Sequence, residues 1–416
     1  MRPESLDAWL GFIQAQHPAD IDLGLERPRK VFERLIELPL KSQTITVAGT
    51  NGKGTTVAML ESLASVHNLS VVSFTSPHLF DYRERIKHNS KLLPKQVHCD
   101  AFANIHRIAD GIPLTYFEYS TLAAFLIAQQ LQPDLLVLEV GLGGRLDAVN
   151  LIATDIAIVT TIDYDHQEYL GNTLTKIANE KLGVVHPNTQ LVVADNTIPE
   201  ECLTALKAAA IYTAGRDFSY VNLNWQWLAR HLGPWQVSFE QKPSSNPAAA
   251  VAAFSLLQNQ SLTMQQLSEA ASKVQLAGRF QKINSVPDVY VDVAHNPQSI
   301  AHLVQRQVIQ DSDEIYLVLG MLADKSILEV LTQLKEINPK WYLCELDSPR
   351  SWSLSKITEQ LPELGISLSD VTCYASVIEA YEQAFLDAER TQATMVVLGS
   401  FHTVGPVLKQ VSTDVE

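Results

Sequence analysis

The segment TITVAGTNGKGTTVAML, residues 44–60, decides the fold, because a strand-like apolar run passes through a glycine-rich turn into a helix-period run. In open α/β sheets, ligands bind at the carboxyl ends of the strands, where such turns lie. Glycine permits positive φ and close backbone approach, and the start of a helix presents unpaired N–H groups to an anion. The segment therefore predicts a phosphate-binding loop with three glycines that allow positive φ, Gly49, Gly52 and Gly54.

Two side chains in this turn suit a bound nucleotide, since Lys53 supplies a positive charge and Thr55 a hydroxyl ligand for Mg²⁺. The strict GxxxxGK[ST] pattern is not met, because Val47 occupies its first glycine position and Gly54 follows the lysine. A glycine-rich turn with an incidental lysine is the alternative interpretation, but the flanking strand and helix favour phosphate binding. The predicted ATP contacts in this loop are Gly49, Thr50, Asn51, Gly52, Lys53, Gly54 and Thr55.

The alternation of strand and helix continues along the chain. Near-continuous apolar runs, typical of strands buried on both faces, occupy residues 44–49, 69–74, 134–140 and 155–162. Helix-period segments separate these runs, and a second series begins near residue 289. We therefore predict an α/β protein with two domains, each with a mostly parallel sheet flanked by helices. Residues 1–284 would form a phosphate-loop nucleotide-binding domain, and residues 285–416 a smaller Rossmann-like domain.

Composition and charge limit the possible partners. The chain has 416 residues, of which 46% are hydrophobic and 19% charged, so it is globular and long enough for two domains. Its formal net charge, 31 − 46 = −15, opposes binding to nucleic acid and anionic membranes, so an anionic ligand has to be held locally. The four cysteines form no CxxC pair, and no apolar run reaches the roughly 18 residues of a membrane span. We expect a cytoplasmic protein without nucleic-acid or membrane partners.

Further segments carry a family resemblance. In chain order they are DAWLGFIQAQHPADIDLGLERP, SFTSPHLFDYRERI, LEVGLGGRLDAVN, DYDHQEYLG, IANEKLGVV, AGRFQ, DVAHNP, LGMLADK and GSFHTV. With GTNGKGT they resemble the folate branch of the Mur ligase superfamily, that is, folylpolyglutamate synthases and bifunctional dihydrofolate synthase/folylpolyglutamate synthases. The resemblance covers almost the whole chain, and it implies a ligase that uses ATP and two Mg²⁺ ions.

The resemblance also implies which residues hold the metal ions. The implied metal ligands are Thr55, Ser76, Glu139, His166 and Lys181, and the implied catalytic residues are Lys53, Glu139, His166 and Lys181. In this superfamily the lysine that matches Lys181 is carbamylated, which turns a cation into a carboxylate-like ligand. The alternative interpretations are a turn serine for Ser76, a solvated strand-end carboxylate for Glu139 and an exposed helix lysine for Lys181.

The remaining predicted contacts follow from the resemblance in the same way. For ATP they are Asn246 at the adenine, Arg279 at the phosphates, Asp292 at the ribose and His295 in the same loop. For the pterin or folate they are Arg83, Arg145 and Asp147, and Arg85 is a further polar candidate. For glutamate they are Asn296, Lys325, Ser400 and His402. One departure is Val293, which stands where the family pattern leads us to expect glycine, and which would be strained if the position needs positive φ.

The implied reaction is transfer of the γ-phosphoryl group of ATP to a substrate carboxylate, followed by attack of the glutamate amine on the acyl phosphate. The acceptors would be dihydropteroate and reduced folates, and the enzyme would act as a monomer. Two alternatives stay open at this point. One is a UDP-muramoyl-type amino-acid ligase of the same superfamily, and the other is a phosphate-loop NTPase that works as a switch.

Overall fold

The computed structural model describes residues 3–17, 21–195, 198–218, 245–257, 262–274 and 276–413. The chain divides into two compact units. The first comprises Met1–His78 and Tyr82–Gln275, and the second comprises Leu79–Asp81 and Leu276–Glu416. This division lies between Gln275 and Leu276, a few residues before the boundary that the sequence predicts, and the domain limits 1–284 and 285–416 stay a prediction.

The first unit is built on an eight-stranded sheet in the order β4-β3-β2-β5-β1-β6-β7-β8. Its strands are β1 (Gln43–Ala48), β2 (Val71–Phe74), β3 (Ile86–His88), β4 (Lys91–Leu92), β5 (Leu135–Glu139), β6 (Ile156–Val159), β7 (Gln190–Val193) and β8 (Ala210–Thr213). The strands β2, β5, β1, β6, β7 and β8 run parallel to one another. At one edge of the sheet, β3 pairs antiparallel with β2 and with β4. The loops that follow β2, β5, β1 and β6 therefore meet at one edge of the sheet.

Helices connect these strands. They are α1 (Leu6–Gln14), α2 (Glu26–Leu35), α3 (Lys53–Val66), α4 (Lys95–Ala109), α5 (Tyr116–Leu131), α6 (Gln167–Leu170), α7 (Leu174–Leu182), α8 (Glu200–Thr204), α9 (Ser245–Leu256) and α10 (Met264–Lys273). Alternate residues of β5 face opposite clusters, with Leu136 and Leu138 on one side and Leu135 and Val137 on the other. Because both faces are covered, the central strands read as continuous apolar runs, as the sequence predicts.

The second unit contains a six-stranded sheet in the order β13-β12-β11-β14-β10-β9. Its strands are β9 (Gln281–Ser285), β10 (Asp288–Asp292), β11 (Ile315–Leu319), β12 (Lys340–Cys344), β13 (Val371–Tyr374) and β14 (Thr394–Leu398). Only β9 pairs antiparallel in this sheet. Its helices are α11 (Pro297–Val304), α12 (Gln307–Gln310), α13 (Ile327–Leu334), α14 (Leu354–Gln360), α15 (Val377–Thr391) and α16 (Phe401–Thr413).

The architecture confirms the predicted fold class, since both units have a mostly parallel sheet flanked by helices. The second sheet repeats the arrangement of the first, with Met395 and Val397 of β14 facing one cluster and Val396 and Leu398 facing the other. Within the described ranges, no helix is both long and apolar enough to cross a membrane.

Candidate active site

The phosphate loop lies between β1 and α3, as predicted. Gly49 has φ 141° and Gly52 has φ 87°, so both adopt conformations that L side chains rarely take. A Cβ at Gly49 would lie 1.8 Å from Thr160 Oγ1, and a Cβ at Gly52 would lie 1.7 Å from Asn246 Nδ2. Gly54 differs from the prediction, because its φ is not positive and a Cβ there would meet no atom within 4 Å. It lies in the first turn of α3, where the backbone is helical.

The loop is fixed to the segment that follows β6. Thr50 N donates to Thr161 O at 2.7 Å, and Asn51 N donates to Thr161 Oγ1 at 3.0 Å. Thr50 Oγ1 donates to Asp163 O at 3.1 Å. Because β1 and β6 are parallel neighbours, their carboxyl ends bring these two loops together, and the hydrogen bonds hold the phosphate loop in one conformation.

Two lysines converge on one carbonyl group of the loop. Lys53 Nζ donates to Gly49 O at 3.1 Å and to Thr50 O at 3.3 Å. Lys181 Nζ, from α7, donates to Gly49 O at 3.0 Å. Lys181 is only 4% exposed, so it is not the exposed helix lysine of the alternative interpretation. Burial of a lysine is uncommon, and it places this amino group beside the phosphate loop.

Glu139 and Ser76 also come together. Glu139 ends β5, is buried, and its Oε2 accepts a hydrogen bond from Ser76 N at 3.2 Å. Ser76 follows β2, which pairs with β5, so the register of these parallel strands accounts for the contact. No group of three or more His, Cys, Asp or Glu side chains among the described residues could hold a metal ion. A cation here would therefore need hydroxyl or phosphate oxygens in addition to Glu139.

His166 follows β6 and occupies the left-handed region, with φ 50° and ψ 39°, at the N-cap of α6. Asp165 Oδ1 accepts a hydrogen bond from His166 N at 2.9 Å. The ring Nε2 lies 3.8 Å from Asp165 Oδ2. A histidine at positive φ is uncommon and occurs most often where the surrounding structure requires it, which makes this residue a functional candidate.

Asp147 organises the glycine-rich turn after β5. It is buried; its Oδ2 accepts from Gly141 N at 3.0 Å and Leu142 N at 2.9 Å, and its Oδ1 from Val149 N at 3.0 Å. Burial raises the pKa of Asp147 to about 6, although these backbone donors and the charge of Lys53 act in the opposite direction. The Phe117 ring packs closely against this turn, since a Cβ at Gly141 would lie 2.6 Å from Phe117 Cε2.

The three arginines predicted near the pterin differ in their surroundings. Arg145 is more than half exposed and pairs with Glu180, with Nη2 2.7 Å from Oε1. Arg83 is half-buried in the 3₁₀ turn Tyr82–Arg85. Arg85, the further candidate, is buried, and its guanidinium carbon lies 5.2 Å from the centroid of the Tyr116 ring.

In the second unit, Arg279, Asp292 and His295 lie near the end of β10. Asp292 accepts from Phe280 N and Ala294 N, both at 2.8 Å. Burial raises the pKa of Asp292, and the Arg279 guanidinium acts in the opposite direction. Val293 is not among the positive-φ residues of the described chain, so the strain considered from the sequence does not arise.

The four residues predicted for glutamate occupy the carboxyl edge of the second sheet. Asn296 caps α11 by accepting from Ser299 N at 3.0 Å, and Lys325 lies in the loop after β11. Ser400 is buried, with its Oγ 2.8 Å from Thr403 Oγ1. Burial lowers the pKa of His402, the Arg350 charge lowers it further, and Asp347 opposes both.

The sequence matches two family models. Residues 47–286 match the Mur ligase middle domain, and residues 278–401 match the Mur ligase glutamate ligase domain. The dihydrofolate synthase/folylpolyglutamate synthase of Escherichia coli is 35% identical over 97% of this chain and 95% of its own length. That of Haemophilus influenzae is 34% identical over 96% of both chains. The chain belongs to the dihydrofolate synthase/folylpolyglutamate synthase family of Mur ligases.

Solved structures of this family have the same fold. Escherichia coli FolC in complex with DHPP and ADP is 32% identical, with a TM-score of 0.88 over 100% of both chains. The bifunctional enzyme of Yersinia pestis complexed with AMPPNP and Mn ion is 36% identical, with a TM-score of 0.87 over 99% of both chains. Membership of this family makes the chain an ATP-dependent ligase that uses a divalent metal ion, and it disfavours both the UDP-muramoyl and the NTPase-switch alternatives.

Family membership does not by itself assign roles to individual residues, so the predicted site residues stay proposals. The structure brings together the phosphate loop, Lys53, Lys181 and Asn246, and it separately brings Ser76 to Glu139. Sequence reasoning missed Tyr116 and Phe117 at the start of α5. The signal that could have found them is Gly141, whose lack of a side chain leaves room for the Phe117 ring.

Proposed function

We propose that this chain joins L-glutamate to the carboxylate of dihydropteroate and to that of reduced folates, with ATP, through an acyl phosphate. Sequence identity over nearly the full length of bifunctional relatives supports both activities. The observation that carries the proposal is the phosphate loop, held rigidly by the β6 segment and flanked by Lys53 and Lys181.

The loop supplies what the phosphates of ATP require. The α3 N-terminus presents N–H groups, and its partial positive charge favours an anion. Lys53 is held over the loop by Gly49 O and Thr50 O, so its charge lies beside the predicted phosphate position. Positioning and charge stabilisation of this kind supply most of the catalysis in phosphoryl transfer. The loop contacts proposed for ATP are Gly49, Thr50, Asn51, Gly52, Lys53, Gly54 and Thr55.

Asn246 supports a ligand next to this loop. Its Oδ1 is buried and has no hydrogen-bond partner among the described residues, while its Nδ2 lies against Gly52. A buried acceptor without a donor costs free energy, and a bound ligand with an N–H group would supply the missing donor. The exocyclic amino group of adenine is such a donor, which agrees with the predicted adenine contact of Asn246.

The oxygen-rich surroundings of Glu139 fit Mg²⁺, which prefers hard oxygen ligands. We assign Thr55, Ser76 and Glu139 to one site, and His166, Glu139 and carbamylated Lys181 to a second. When bound, the ions would neutralise charge that develops on the transferred phosphoryl group. Lys181 is buried against Gly49 O, and carbamylation would replace its positive charge with a ligand group.

The remaining roles follow the family pattern. Arg83, Arg145 and Asp147 would bind the pterin or folate, and Asn296, Lys325, Ser400 and His402 the glutamate. Arg279, Asp292 and His295 are the further ATP contacts that the family pattern implies. Lys53 stabilises the charge of the phosphoryl group as the acceptor carboxylate attacks it, and the glutamate amine then displaces phosphate. No protein nucleophile is required, and a monomeric state and a cytoplasmic location stay predictions.

Substitution of Glu139 tests this assignment. In Glu139→Gln we expect kcat for glutamate-dependent ADP release to fall at least about 100-fold, since one oxygen of the proposed metal ligand is lost. Glu200→Gln, on the exposed start of α8, is the matched control and should keep full activity. Glu139→Gln with unchanged kcat and Mg²⁺ dependence would exclude the metal assignment. Mass spectrometry of the peptide containing Lys181 tests carbamylation independently.

A further inference from the structure

Hydrogen bonds hold the loop that carries Ser76 against the 3₁₀ turn Tyr82–Arg85. Thr75 N donates to Arg85 O at 2.9 Å, and Thr75 Oγ1 donates to Glu84 O at 3.1 Å. Arg85 Nε donates to His78 Nδ1 at 2.9 Å. These bonds lie on both sides of Ser76 in the sequence, so they restrain the backbone whose N–H reaches Glu139.

The hydrogen bond between Arg85 and His78 also fixes the tautomer and the orientation of the histidine ring. A guanidinium group can only donate hydrogen bonds, so His78 Nδ1 is the acceptor and the ring proton of the neutral imidazole lies on Nε2. Arg85 is 8% exposed, and this burial limits the side chain to few conformations. The ring of His78 is therefore held in one orientation and one tautomer.

Arg85 also contacts the start of α5. Its guanidinium carbon lies 5.2 Å from the Tyr116 ring centroid, a cation–π arrangement. The first turn of α5 is itself fixed, because Thr115 and Glu118 form a capping box. Arg85 thus connects the Ser76 loop to Tyr116, the first residue of α5. The next residue, Phe117, packs against the Gly141 turn.

No carboxylate among the described residues lies within ion-pair distance of Arg85. A buried cation without an acidic partner is costly, and an apolar residue of similar volume would avoid that cost. Its donated hydrogen bond and its cation–π contact with Tyr116 both use the guanidinium group. These features distinguish Arg85 from an arginine retained for an ion pair.

We propose that Arg85 is a positioning residue, which acts through His78 to hold Ser76 against Glu139 and so keeps the metal ligands in place. This inference rests on the proposed metal roles of Ser76 and Glu139. It predicts that loss of Arg85 weakens the response to Mg²⁺ while leaving the binding of the acceptor substrate intact.

Kinetics with varied Mg²⁺ test the proposal. In Arg85→Gln we expect the half-saturating Mg²⁺ concentration to rise about 10- to 100-fold, as for partners of metal ligands in other enzymes. KM for dihydropteroate should stay near its wild-type value. Arg85→Lys keeps the charge and one donor, so it should recover part of the loss. His78→Leu removes the acceptor of the same hydrogen bond at similar side-chain volume, and it serves as the second variant if Arg85→Gln does not fold.

A double-mutant cycle gives the sharper readout. Arg85→Gln and His78→Leu should combine with much less than additive effects on the half-saturating Mg²⁺ concentration, because either change breaks the same bond. Arg107→Gln, on the exposed surface of α4, is the matched arginine control and should be additive with His78→Leu. An increase in KM for dihydropteroate at unchanged Mg²⁺ response would overturn the proposal, as would full additivity. If Glu139→Gln also keeps a wild-type Mg²⁺ response, the metal assignment itself fails.

Discussion

Gly49 and Gly54 lie in the same turn but face different surroundings. A Cβ at Gly49 would clash with Thr160, and φ there is 141°, whereas Gly54 is helical and open. We expect Gly49→Ala to lower the free energy of unfolding by about 1–3 kcal/mol and to abolish ATP binding, because the loop must move. Gly54→Ala should leave the stability unchanged or slightly higher. Urea denaturation and nucleotide titration measure both, and wild-type ATP affinity in Gly49→Ala would contradict the loop geometry.

Asp147 should make stability depend on pH in an unusual direction. Burial raises its pKa from 3.8 to about 6 in the folded state, so the folded protein holds the proton more tightly than the unfolded chain. Its contribution to stability is therefore greatest below pH 3.8 and is lost as pH rises through about 6. The loss amounts to about 3 kcal/mol at most.

Asp147→Asn removes this titration. The difference in unfolding free energy between wild type and Asp147→Asn should shrink between pH 4 and pH 7, as measured by urea denaturation at several pH values. A difference that stays constant or grows with pH would show that Asp147 is ionised throughout this range.

At the level of single residues, the sequence predicted the chemical groups of the site better than it predicted their burial and contacts. Lys53, Gly49 and Gly52 follow from the turn pattern alone, because the turn needs a charge and positive φ. The burial of Lys181 and of Arg85 could not be derived, since it depends on which face of a helix or turn packs inward. The saturation of Asp147 by three backbone donors depends on the exact path of the turn, which composition does not encode.

At the scale of the elements, several side-chain hydrogen bonds hold the N-terminal cap of α5. Thr115 Oγ1 accepts from Glu118 N, Glu118 Oε2 accepts from Thr115 N, and Arg27 donates to both carboxylate oxygens. Glu118 is buried and Arg27 is only partly exposed, so the pair is shielded from solvent.

Glu118→Ala should cost about 2–3 kcal/mol of unfolding free energy, because it leaves Thr115 N without its acceptor and leaves Arg27 with Asp22 as its one remaining acidic partner among the described residues. Gln266→Ala, in the exposed capping box of α10, is the matched control and should cost about 1 kcal/mol or less. Urea denaturation compares them, and equal losses in the two variants would refute a special contribution from the Arg27 pair.

Elements with a continuous apolar run could be predicted, and short ones could not. Strands β1, β2, β5 and β6 correspond to the predicted runs because both of their faces are buried. Strands β3 and β4 have only three and two residues and include Lys87, His88 and Lys91, so they carry no apolar signal. Strand β9 is formed by a half-exposed polar segment, and it pairs because β10 lies beside it.

For the whole molecule, a net charge of −15 is compatible with anionic substrates, because local groups bind the anions. The phosphate loop places backbone N–H groups and the charge of Lys53 close together, and at such short distances nearby groups matter more than the overall charge. The family and the two-unit α/β architecture could be predicted from motif order. The domain limits 1–284 and 285–416 stay a prediction beside the division of the structure at Gln275.

Ligation of glutamate to pterin carboxylates is the reaction that we propose for this chain. The most direct test measures ADP release with Mg²⁺, ATP and glutamate, and compares dihydropteroate, tetrahydrofolate and a UDP-muramoyl precursor as acceptors. We predict glutamate-dependent turnover with both pterins and none with the muramoyl precursor. ATP hydrolysis that is independent of glutamate and yields no pterin product would contradict the account.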